Sequence, residues 1–186
     1  MSAPARPLAS AALFDTAIGS CAIAWGPSGV LRFALPEPDP AATLSHILRR
    51  HRLADLREAT PTDEIARVIT SIRAHLAGDL DDLHWIPLNT TQFNDFDRAV
   101  YEVTRAIPPG HTLNYGAIAT RIGAPHGSQA VGQSLGRNPI PLIIPCHRVL
   151  AADHALHGFS APGGLSTKQR LLEIERTPGF GEPTLF

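Results

Sequence analysis

Asn138-Pro139-Ile140-Pro141-Leu142-Ile143-Ile144-Pro145-Cys146-His147-Arg148-Val149 is the most informative stretch of the chain. Ile140 to Pro145 is an unbroken apolar run that ends on a thiol, an imidazole and a guanidinium, and it predicts a buried, extended segment. Upstream, Asn114 can cap a short helix through Ile122, Gly123-Ala124-Pro125 supplies a turn, and Ser128 can cap a second helix through Leu135. Two short helices around such a turn read as a helix-turn-helix. Val131 and Leu135, four apart, face inward, which leaves Gln129, Ala130, Gln133 and Arg137 on the outer face. Downstream, a loop over Ala151 to Gly164 leads to a last helix from Ser166 to Glu175.

Further out, Phe93, Phe96, Val100, Val103 and Ile107 mark a helix stopped by Pro108-Pro109-Gly110. The first half reads differently. Residues 1 to 10 are rich in Ala and Pro and read as loose; Cys21 to Trp25 and Val30 to Leu35 read as strands joined by the turn Gly26-Pro27-Ser28-Gly29. Asp39-Pro40 starts a helix of about 15 residues with arginines on its outer face, and Thr60-Pro61 starts another. Ile65, Val68, Ile69, Ile72 and Leu76 trace one apolar face of that second helix before Gly78 ends it. Leu83 to Leu88 reads as a short strand and Asn89-Thr90-Thr91 as a linker. Trp25 and Trp85 read as packing residues of their strands. The expected architecture is α+β: residues 1–90 form a strand-and-helix domain, and residues 91–186 form a mostly helical domain carrying the helix-turn-helix.

Composition narrows the function classes. The chain has 186 residues, of which 44% are apolar and 18% charged, so it can bury a sizeable core and is neither a disordered chain nor a coiled coil. A net charge of -1 gives no global field for a nucleic acid, and any such partner must meet a local patch. Residues 111–150 supply a candidate, with Arg121, Arg137 and Arg148 and no Asp or Glu. No apolar run approaches the ~18 residues of a membrane span. Two cysteines, Cys21 and Cys146, and no uninterrupted apolar leader fit a reduced, cytoplasmic protein.

Cys146 combines a thiol with adjacent cationic side chains, His147 and Arg148, which favour the nucleophilic thiolate. In an extended chain neighbours point to opposite sides, so His147 reaches the sulfur only through a turn or a water. A buried, inert cysteine is the alternative reading of these residues.

The stretch from Asn138 to Val149 resembles the active-site signature of the O6-alkylguanine-DNA alkyltransferases, which are suicide repair proteins. The resemblance extends over about residues 93 to 176, through Ile107-Pro108-Pro109-Gly110, Tyr115-Gly116, Ala130-Val131-Gly132, Gly163-Gly164-Leu165, Lys168, Leu171-Leu172 and Glu175. It implies double-stranded DNA containing O6-alkylguanine as partner, base flipping, and irreversible alkyl transfer to Cys146 without a cofactor, with O4-alkylthymine as a second lesion. On that resemblance His147 takes the thiol proton through a water, and Glu175 orients the imidazole. Asn138 ties the helix-turn-helix to the active-site strand, and Tyr115 donates to the guanine or helps rotate its phosphate. Phe159 and Ser160 line the pocket, backbone groups near Cys146 and Val149 read the base, and Gln133, Arg137 and Arg148 lie among the DNA-binding residues.

The chain departs from the family at Gln129, where an arginine usually precedes Ala-Val-Gly and enters the base stack; an altered lesion preference follows as an expectation. Ala161-Pro162 also reads as an insertion before Gly163-Gly164. Zinc, held by some members, is not expected: Cys21 stands alone, and His46, His51, His75 and His84 read as solvated. Two other classes stay open, a non-enzymatic sensor of alkylated DNA and a thiol hydrolase using Cys146, His147 and Glu175.

Overall fold

A computed structural model describes residues 9–49, 56–156 and 158–181. Its first half is built on three antiparallel strands, β1 (Ala9–Thr16), β2 (Gly19–Gly26) and β3 (Gly29–Ala34). A short β4 (Leu56–Glu58) adds to the free edge of β1 in parallel, giving the order β3-β2-β1-β4. Side chains alternate across a sheet, and here the two faces differ in size. Phe14, Cys21, Ile23, Trp25 and Phe33 point into the main core, where α2 (Asp63–Leu76) adds Ile65, Val68, Ile69 and Ile72. Ala11, Ala22, Ala24 and Ala34 line the other face, whose small side chains let Ile47 of α1 (Pro40–Arg49) come close.

The second half is helical. It comprises α3 (Asp95–Arg105), α4 (Tyr115–Arg121), α5 (Ser128–Gly136) and α6 (Gly164–Ile174), with a two-stranded parallel ladder of β5 (Leu113–Asn114) and β6 (Val149–Leu150). The chain is α+β, and its main apolar core runs without a break from Phe14 and Ile72 to Val100, Ile143 and Leu171.

Several local expectations need correction, each for a physical reason. Ala9 and Ser10, read as loose, begin β1 because they pair with β4 and β2. The end expected for the Pro40 helix falls on residues 50–55, outside the described residues. The cap of α2 is Thr62, two residues beyond the expected start, and its hydroxyl accepts from the Ile65 N–H. Gly127 caps α5 without a side-chain bond, so Ser128 is the first helical residue.

Leu83 to Leu88 is not a strand. Asp81 and Asp82 fold the chain back by accepting from the N–H groups of Leu83 and His84, and Arg105 gathers the carbonyls of Leu83, His84 and Ile86. Only Leu88 bridges to Val30. Trp85 consequently stays 49% exposed, its indole N–H on Asp81, while Trp25 is buried as expected.

This loop also presses on the β2–β3 turn. Gly29 has φ +116, and a Cβ there would lie 2.4 Å from the Pro87 carbonyl oxygen, so neither the backbone angle nor the space admits a side chain. Gly29→Ala should destabilise the fold by about 2 kcal/mol, lowering Tm by about 4–8 °C. Gly136→Ala, in a helix with nothing within 4 Å of the new carbon, should be neutral or slightly stabilising. Thermal unfolding of both variants by circular dichroism checks the pair; equal Tm values would refute the steric argument.

Candidate functional site

The apolar run before Cys146 is buried but not extended. The Ile144 N–H returns to the Ile140 carbonyl at 2.9 Å, and Leu142 adopts a left-handed φ of 72, unusual for a branched residue. Asn138, just beyond the end of α5, staples both ends of this turn: its Oδ1 accepts from the Ile140 N–H at 2.9 Å and its Nδ2 donates to the Ile144 carbonyl at 2.8 Å. The turn runs into a single 3-10 turn, Cys146–Arg148. There the Arg148 N–H bonds the Pro145 carbonyl, so His147 and Arg148 fold inward together while Cys146 stays partly exposed. Pairing of Leu113 with Val149 then sets the start of α4, and with it Tyr115, beside the cysteine turn.

Cys146 opens onto a cavity of about 390 Å³ shared with Asn138, Arg137, Phe159 and Ser160, and with Tyr101 and Pro141. Behind it lies a fully buried ionic group. Glu175, at the end of α6, accepts through Oε1 from His147 Nε2 at 2.8 Å and from an Arg148 terminal nitrogen at 2.7 Å, and through Oε2 from Arg148 Nε at 3.0 Å. The other Arg148 terminal nitrogen donates to the Ile107 carbonyl at 2.6 Å. His147 Nδ1 is buried and finds no partner among the described residues, so the ring presents Nε2–H to Glu175 and a bare lone pair on Nδ1.

The electrostatics follow. Burial pushes the Cys146 thiol up, outweighing the bond from Asn138 and the charge of Lys168, so the expectation of a thiol lowered by its cationic neighbours is corrected. The reason is geometric: Arg148 spends its charge on Glu175. Burial pushes the His147 imidazole down although Glu175 opposes it, which keeps the ring neutral and able to accept a proton. For Glu175 burial acts upward, but His147, His75 and Arg148 together hold the carboxyl well below the usual carboxylate range. The Tyr115 phenol is pushed up by burial and so remains a donor.

The other expected site residues separate into groups. Gln129 and Gln133 are exposed on α5 and Ala130 is half-buried there. Tyr115 packs at the foot of α5, where a Cβ on Gly132 would stand 3.8 Å from its ring. Val149 is buried; its N–H bonds the Cys146 carbonyl and its own carbonyl accepts from Lys168 Nζ at 2.8 Å, so these backbone groups already have protein partners. Phe159 is half-buried and Ser160 donates to the Gly136 carbonyl.

The basic patch does not survive as three free charges. Arg148 is buried, which corrects its place among the DNA-binding residues, and Arg137 pairs with Asp97 of α3 at 2.9 Å, an acid outside the 111–150 window. Ser134 Oγ joins the same carboxylate, locking α5 to α3.

Sequence reasoning missed His75. Read as solvated, it is fully buried, and its Nε2 lies 3.0 Å from Glu175 Oε1. The signal was present: His75 stands three residues after Ile72 and seven after Val68, on the apolar stripe of α2.

The family model described as 6-O-methylguanine DNA methyltransferase, DNA binding domain, matches residues 95–177. A methylated-DNA–protein-cysteine methyltransferase of Mycolicibacterium paratuberculosis is 40% identical over 121 residues, 65% of this chain and 71% of that protein. One from Haemophilus influenzae is 38% identical over 118 residues, 63% and 64% of the two chains. Among solved structures, the Mycobacterium tuberculosis OGT in complex with DNA superposes with a TM-score of 0.71 at 30% identity, over 90% of this chain and 93% of that one. The O6-methylguanine-DNA methyltransferase of Pyrococcus kodakaraensis gives 0.64 at 25% identity, over 90% and 99%. Likeness in sequence and fold that spans both halves, with Cys146 seated before a buried histidine and glutamate, means that this chain belongs to the methylated-DNA–protein-cysteine methyltransferase family.

Proposed function

We propose that the protein repairs alkylated duplex DNA by moving the alkyl group from O6 of guanine to the sulfur of Cys146, once per molecule. One observation carries this: the His147 side-chain nitrogen without a partner among the described residues is Nδ1, on the ring next in sequence to the thiol that opens onto the cavity. The guanine is turned out of the duplex, at a cost of roughly a few kcal/mol, into that cavity. His147 Nδ1 takes the Cys146 proton through a water, the sulfur attacks the alkyl carbon, and the carbon–O6 bond breaks. The electron pair leaves with guanine, which recovers a proton from the Tyr115 side. A thioether is a poor leaving group, so the product is stable and the protein is spent. Phe159 and Ser160 hold the base; Gln129, Ala130 and Gln133 face the duplex. We also propose that the chain divides near residue 90, and that it acts in the cytoplasm, where a free thiol stays reduced.

Intact-protein mass after mixing with duplex containing O6-methylguanine should show one added methyl, on Cys146, at one equivalent per protein. Cys146→Ala should bind the duplex nearly as well and gain nothing; turnover beyond one equivalent would sink the suicide mechanism.

Glu175→Gln withdraws the charge that supports protonated His147. The base weakens, and transfer then waits on direct ionisation of a thiol whose pKa burial has raised. The rate near neutrality should fall about a hundredfold and recover toward alkaline pH. A parent-like pH profile would remove the relay.

Gln129→Arg tests how the duplex is opened. An arginine in the vacated stack adds a contact of about 1–2 kcal/mol, so transfer from duplex should quicken about tenfold. Transfer from free O6-benzylguanine, which needs no flipping, should stay at the parent rate. Unchanged or slower duplex repair would show that Gln129 is not a weakened form of that arginine.

A further inference from the structure

Glu175 has a donor that the alkyl-transfer chemistry does not call for. His75 lies on α2, 100 positions before Glu175, with no exposed surface. The Asp81 N–H donates to its Nδ1 at 3.2 Å, which leaves the ring proton on Nε2, and Nε2 donates to Glu175 Oε1 at 3.0 Å. That oxygen also takes His147 Nε2 and Arg148, so His75 and His147 draw on one acceptor atom. A hydrogen bond to a carboxylate spreads its charge and weakens its hold on any other proton donor.

We propose that His75 is a positioning residue of the proton relay: by taking a share of Glu175 Oε1 it limits how tightly the carboxylate retains a proton on His147. The inference rests on the alkyl-transfer reading above. The groups that face His147 are Glu175 from the end of α6, Arg148 from its own turn and His75 from α2. Burial and Arg148 disfavour the imidazolium, and Glu175 favours it. With His75 in place the ring stays neutral to lower pH and can accept the thiol proton; with a full share of Glu175 it would keep a proton to higher pH, and a ring that already holds one cannot take the proton of the thiol. The first half of the chain thereby tunes a base that the second half carries.

The test is single-turnover benzyl transfer from free O6-benzylguanine, followed by intact mass from about pH 5 to about pH 9, in parent, His75→Leu and His75→Gln. Leucine removes the donor; the glutamine amide nitrogen can replace Nε2. In His75→Leu the acid limb should move up by about one pH unit, making transfer at about pH 6 about tenfold slower while the rate above about pH 8 stays within about twofold. His75→Gln should restore the parent limb. A parent-like profile in folded His75→Leu, or a shifted one in His75→Gln, overturns the proposal. Should His75→Leu not fold, nitrogen-15 shifts of the parent decide jointly with the glutamine variant: a proton on His75 Nε2 at neutral pH supports the inference, and one on Nδ1 refutes it. Failure of the parent to take the benzyl group would instead remove the alkyl-transfer reading, and with it the relay that His75 serves.

Discussion

Four hydrogen bonds converge on the carboxylate of Glu175, and most of the site depends on them. A buried charge is tolerated only when it is paired and its lone pairs are satisfied; removing one partner of such a set typically destabilises by about 3–5 kcal/mol. Here the donors come from α2 and from the Cys146–Arg148 turn, the acceptor from the end of α6, and Arg148 reaches on to the carbonyl of Ile107 just after α3. Satisfying one carboxylate therefore fixes where the cysteine turn sits relative to both halves of the core. The geometry of the candidate site is a consequence of that requirement.

The same arrangement explains why a reactive thiol can be carried safely. Burial holds Cys146 protonated and His147 neutral, so the resting pair is a thiol beside an unused base. Reaction needs an electrophilic carbon held at the sulfur, which only an occupied cavity supplies. Had Arg148 faced the thiol, a standing thiolate would have been open to oxidation and to any soluble alkylating agent. Its guanidinium points into Glu175 instead.

How much of this was legible in the sequence varies with the range of the forces involved. The α2, α3 and α4 helices follow from stripes and caps, because those are local: Asn114 caps α4 where its spacing to Ala117 says it should. The apolar run Ile140–Pro145 could be read as buried but not as a turn, since an unbroken run carries no period and the Asn138 staples lie outside it. Leu83–Leu88 failed as a strand because Arg105, about twenty residues away, takes its carbonyls. The acid-free window from 111 to 150 failed for the same kind of reason. Counting charges in a window assumes partners nearby, and the partners of Arg137 and Arg148 are Asp97 and Glu175. His75 was the costliest omission, although its place on the α2 stripe was visible; what the sequence could not supply was the acid a hundred positions later that makes a buried imidazole tolerable.

With Arg148 buried and the exposed Arg137 paired to Asp97, the outer face of α5 is short and carries little free charge: Gln129 and Gln133 exposed, Ala130 and Gly132 between them and the core, and Arg121 exposed at the end of the neighbouring α4. Such a surface exerts little pull at a distance, in keeping with a net charge of -1. Its merit is closeness, because small residues let a helix backbone approach a sugar-phosphate chain that lysines and arginines would hold off. A Cβ on Gly132 would only touch the Tyr115 ring, at 3.8 Å, so a small residue there keeps the helix surface low without being forced by the tyrosine. On the function proposed above, recognition on this face is then a matter of shape and of whether a base can leave the stack. The selective step passes to the cavity and to the thiol at its edge.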